Sequence, residues 1–136
     1  MKMRPATTAI LLLASIGAVL FVAACRSAPP VVTEGLSAAE VFQRAQDAAE
    51  KGDSLAAIRY YEAFKEKRPD DLERVAWASY EIAFLYHKMK KNDTALVLLD
   101  QLLAVYANEG DGLPPAPRIL AEKLKSRIEP KPPVKP

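Results

Sequence analysis

From Leu36 to Ile128 the apolar residues recur at intervals of three and four, and no stretch alternates as a half-buried strand would. Glycine and proline divide this region into helices: only Pro69 interrupts residues 36–113, and Gly52 is the only glycine between Gly35 and Gly110. The first helix opens on a capping box, Ser37-Ala38-Ala39-Glu40, with Leu36 and Val41 placed as a hydrophobic staple. It is predicted to run to about Lys51, where Gly52 can take the left-handed stop. Asp53 or Ser54 caps a second helix that continues to about Lys67. Asp70 and Glu73 are spaced as a capping box for a third, ending near Lys90. A fourth starts at Asn92 or Asp93 and ends near Tyr106. Pro117 suits the first position of a fifth, which reaches about Glu129 with Ile119, Leu120, Leu124 and Ile128 on one face. The predicted class is all-α.

Charge divides the chain differently. There are 19 basic and 17 acidic residues, a formal net charge of +2. Lys2 and Arg4 account for that excess, so the chain from Cys25 onward is neutral, which argues against nucleic acid as a partner. The two basic residues precede an uncharged apolar run, Ala6 to Val22, and then Val22-Ala23-Ala24-Cys25. This resembles the signal peptide and lipobox of bacterial lipoproteins. The resemblance implies cleavage after residue 24, diacylglycerol on Cys25 and a membrane anchor through that lipid. Since Arg26 stands where inner-membrane retention commonly uses Asp, the resemblance leans towards the periplasmic face of an outer membrane. An uncleaved transmembrane anchor is the alternative, since seventeen residues at about 1.5 Å each just span a bilayer.

Four regions follow: a signal peptide over 1–24, a lipidated cysteine and tether over 25–35, a helical domain over 36–129, and a Pro/Lys-rich tail over 130–136. Residues 26–35 at about 3 Å each would hold the domain up to about 30 Å from the lipid.

The helices pair with an internal spacing. Ala57 and Ala95 occupy equivalent places in helices two and four, 38 residues apart. Ala57, Tyr61, Phe64 and Pro69 resemble the second helix of a tetratricopeptide repeat, and Ile82-Ala83 with Tyr86 the first helix of the next. Val41, Arg44-Ala45 and Ala48 depart from the family pattern in helix one, and Ala107 stands where a proline would close the second unit. The resemblance implies a right-handed stack of helical hairpins, an α-solenoid of two degenerate repeats, with helix five as cap. Two repeats make a small core, which invites homo-oligomerisation or docking.

Little in the chain offers catalysis. The single cysteine is committed to lipid on this reading, and the single histidine, His87, has no triad context. The run Asn108–Gly112 lacks the ligand series of a calcium loop. No enzyme activity, metal or cofactor is expected.

Helix three carries two apolar stripes. Val75, Ser79, Ile82, Tyr86 and Met89 form one; Trp77, Tyr80, Phe84 and His87 form the other. A central helix buried all round explains both as core. The repeat resemblance instead turns the second stripe into a concave groove, with Lys88 at its polar end and Phe42, Gln46 and Ala49 of helix one opposite. On that reading the chain is a protein- or peptide-binding module of a cell-envelope assembly. The alternative is a small-ligand-binding accessory of a transport system, with the aromatic helix as a pocket wall.

Overall fold

The computed structural model describes residues 31, 33–109 and 112–129, and these form five helices with no strand among them. They are α1 (Ala38–Glu50), α2 (Ser54–Lys67), α3 (Leu72–Lys88), α4 (Asn92–Glu109) and α5 (Pro115–Ile128). The expected signal peptide, Cys25 and the expected tail over 130–136 lie outside the described residues.

Local chemistry sets the first helix. The Ser37 amide donates to Glu40 Oε2 at 2.7 Å, and the Glu40 amide donates to Ser37 Oγ at 3.3 Å. Leu36 and Val41 both pack into the core beneath, as the staple requires. Gly52, at φ +82°, ends α1 with the Gly52 amide on the Ala49 carbonyl and the Asp53 amide on the Ala48 carbonyl. Asp53 Oδ1 then accepts from the Ala56 amide at 2.8 Å and starts α2.

Three boundaries differ from expectation. The cap of α3 is Asp71 rather than Asp70: its side chain accepts from the Arg74 amide at 3.2 Å. The turn after Pro69, closed by the Asp71 amide on the Arg68 carbonyl, delays helix entry by one residue. α4 runs beyond Tyr106 to Glu109, because Ala107 offers no proline to stop it. α5 begins at Pro115, which leaves Pro117 inside the first turn, where no amide is needed, with its ring fully buried.

The helices pack as consecutive hairpins, α1 on α2 and α3 on α4, with α2 joining the pairs and α5 resting on both α4 and α3. The result is an all-α stack of helical hairpins. Two cores result. One gathers Val41, Ala45, Ala57, Ile58, Tyr61 and Phe64 with Ala78, Ile82 and Leu85 of α3. The other gathers Ala76 and Ala83 of α3 with Leu99, Leu102, Tyr106, Leu113, Ala121 and Leu124. α3 therefore lies between the two cores and serves each with a different edge.

Alanine makes this close stacking possible. Ala45, Ala57, Ala78, Ala83, Ala95 and Ala121 are all 0% exposed. A methyl group lets helix axes approach where a larger side chain would hold them apart. The last helix is fastened at both ends: the Tyr106 hydroxyl donates to the Pro114 carbonyl at 2.7 Å, and Lys125 Nζ lies 2.6 Å from Asp100 Oδ1.

The approach to α1 is also fixed. Thr33 is buried, Val31, Thr33 and Glu34 share a depression with Arg59, Glu62 and Ala63 of α2, and Arg68 Nη2 donates to the Leu36 carbonyl at 2.7 Å. Val31, Thr33 and Glu34, expected as tether, thus lie against α2.

Candidate functional site

The buried side chains of α3 are small or aliphatic, namely Ala76, Ala78, Ile82, Ala83 and Leu85. Its aromatic residues Trp77, Tyr80, Phe84 and Tyr86 are only partly buried. Neither simple picture of the second stripe holds throughout its length. Tyr80 and Phe84 pack against the second core and keep exposed surface, whereas Trp77 faces α1.

Trp77 lines a cleft of about 290 Å³ between α1 and α3, with Phe42 and Gln46 on the opposite wall, Tyr61 at its base, and Glu73, Arg74 and Glu81 along α3. Its aromatic walls are held rigidly. Phe42 meets Tyr61 and Phe64 edge-on, with ring centroids 5.2 and 5.1 Å away. Trp77 meets Tyr80 edge-on at 6.5 Å, Tyr80 stacks on Phe84 at 6.1 Å, and Lys88 Nζ lies 5.9 Å over the Phe84 ring. An aromatic row thus leads from the cleft along α3 to a lysine.

Of the residues expected in the groove, the structure brings Phe42, Gln46 and Trp77 into one cleft. Tyr80, Phe84 and Lys88 continue from it as the aromatic row. Ala49 packs against the first core. His87 Nδ1 lies 2.8 Å from Asn92 Oδ1, so its ring braces the turn from α3 into α4.

Sequence reasoning missed Tyr61 and Glu81. Tyr61 reads as a repeat-core residue, and its ring serves core and cleft at once. Glu81 belongs to the narrow charged strip of α3 with Arg74 and Lys88, yet it stands four residues after Trp77 and therefore on the same helix face. Burial pushes the Glu81 carboxyl above its ordinary range, and the Lys88 charge opposes that rise. Burial also raises the Tyr61 and Tyr80 hydroxyls, each with a smaller contribution from the Glu81 charge. The carboxylate is thus electrostatically felt by both tyrosines.

A second cavity, of about 380 Å³, opens where α2, α3 and α4 meet. Leu72, Val75, Ile82, Leu98, Leu102, Val105 and Leu113 give it an apolar lining, with Glu62, Lys65, Ser79 and Gln101 as its polar groups. Burial lowers the Lys65 pKa, opposed by Glu62.

Among the described residues no cluster of His, Cys, Asp and Glu could hold a metal ion, and no helix is long and apolar enough to cross a membrane. The chain matches no family model, no curated protein and no solved structure.

Proposed function

We propose that this chain is a lipid-anchored, non-enzymatic binding module that holds an extended segment of a partner protein in the α1–α3 cleft. The observation that carries the reading is the cleft itself, open, with aromatic walls, polar ends and an aromatic row leading out along α3. Rigid aromatic side chains supply large contact area with little rotamer entropy to lose, so binding energy concentrates on them. The repeating hairpins support reading the fold as two degenerate tetratricopeptide repeats with α5 as cap. A lipid on Cys25 would place the module in a bacterial cell envelope, within an assembly at the membrane surface.

Capture from detergent-solubilised envelopes tests the reading. Trp77→Ala in the full chain should reduce recovery of a partner by tenfold or more while the melting transition persists. Undiminished recovery with an intact fold rejects the cleft as the binding site. Anchoring has its own measurement: the mature protein should begin at Cys25 with an acyl mass added, and Cys25→Ser should abolish both processing and membrane association. An unmodified Cys25 in a soluble product rejects the lipoprotein.

The apolar cavity of about 380 Å³ favours a second reading, a small-ligand-binding accessory of a transport system. Ser79→Phe would obstruct that cavity on the side of α3 away from Trp77. Partner capture should survive this change under the first reading, and ligand binding should vanish under the second.

A further inference from the structure

The α1–α3 cleft holds a carboxylate that the fold leaves unmatched. Glu81 is partly buried, and among the described residues no hydrogen bond or ion pair engages it. The cation on the same wall, Arg74, is already held by Asp71 Oδ2 at 2.9 Å. Lys88 is the other nearby cation, and its ammonium lies over the Phe84 ring. The rest of the lining consists of the aromatic faces and edges of Phe42, Tyr61 and Trp77, the Gln46 amide and a second acid, Glu73.

This chemistry discriminates among occupants. An anionic side chain would meet Glu73 and Glu81 with like charge. A purely apolar one would desolvate Glu81 further with nothing in return, which is costly for a charged group. A cation gains from both components: the carboxylate attracts it more strongly than in bulk water because the site is partly desolvated, and the aromatic faces attract it through their quadrupoles. The volume of about 290 Å³ accommodates one long side chain.

We propose that the cleft recognises a lysine or arginine side chain of an extended partner segment, with the cation seated between Glu81 and the Trp77 ring. This rests on the peptide-binding reading and adds the chemical class of the ligand. Proline on either side of the basic residue would favour it, since such a segment is already extended and loses less entropy on docking.

Trp77 is the single tryptophan of the chain, so its fluorescence reports on this cleft alone. The probe is a synthetic heptapeptide with the sequence of residues 130–136, which sets two lysines among prolines, compared with a version carrying glutamine for both lysines. Titrated into the full chain, the lysine peptide should change Trp77 emission and bind at least about tenfold more tightly than the glutamine peptide. Glu81→Gln, checked by thermal melting to be folded, should make the two peptides equal. Equal affinity of both peptides for the unaltered chain overturns the cation site and leaves peptide binding standing. No Trp77 response to the lysine peptide, or a preference that survives Glu81→Gln, also overturns it. The capture experiment then judges the peptide-binding reading separately.

Discussion

Gly52 and Lys90 stand 38 residues apart and share one backbone conformation, with φ of +82° and +64°. Each closes the first helix of a pair through the same two hydrogen bonds. In the first turn the amides of Gly52 and Asp53 donate to Ala49 and Ala48; in the second those of Lys90 and Lys91 donate to His87 and Tyr86. The same interval relates Ala57 to Ala95, and it relates Ala45 to Ala83 and Ala83 to Ala121, all fully buried. The period therefore extends into α5, which occupies the place of the first helix of a third pair.

The second turn carries a cost that the first avoids. A side chain in the left-handed region meets its own backbone, at about 1–2 kcal/mol, whereas glycine does not. Lys90→Gly should therefore stabilise the domain by about 0.5–1 kcal/mol after the entropy of the added glycine is subtracted. Urea denaturation measures this, and a loss of stability would contradict the shared turn.

Ala57→Leu and Ala121→Leu should each destabilise by about 1–3 kcal/mol, because both methyl groups lie between closely packed helices. The same change at exposed Ala104 of α4 should be nearly neutral. Circular dichroism melts of the three variants separate packing from helix propensity. If Ala121→Leu proves as silent as Ala104→Leu, α5 does not dock as described.

Tyr80 and Phe84 give an intermediate forecast. Their rings contact the second core but retain exposed surface, so Tyr80→Ala or Phe84→Ala should cost about 2 kcal/mol, below the range of about 3–5 for a fully buried aromatic. Both variants should still unfold cooperatively. Collapse of either to a non-cooperative state would assign it to the core alone.

Glu81 should make stability depend on pH. Burial raises its folded pKa above the unfolded value, so its favourable contribution is complete below the unfolded pKa and is lost as pH rises through the folded one. Glu81→Gln should accordingly raise Tm at pH 7.5, with the gain shrinking as pH falls towards 4. A gain independent of pH would show that the charge is not the cause.

The five helices, the Ser37 capping box, the Gly52 stop and the Asp53 cap were all legible in the sequence, because each depends on residues within five positions of one another. So was the 38-residue spacing, which needs only identity at a distance. The cap at Asp71 was misplaced by one residue because Asp70 and Asp71 differ only in how the Pro69 turn spends its hydrogen bonds. The cleft was legible in part: the repeat resemblance implied that Phe42 and Gln46 face Trp77, and the three line one cleft. Which side chains of α3 face which core was decided only by tertiary packing. Helical periodicity fixes the angle between stripes but not the position of the neighbouring helices, and here α2, α4 and α5 pack on α3 unequally while α1 meets it across the cleft. That asymmetry buries alanines fully and leaves the larger rings at the edges. It also turns Glu81, a surface charge by pattern, into a carboxylate inside an aromatic cleft.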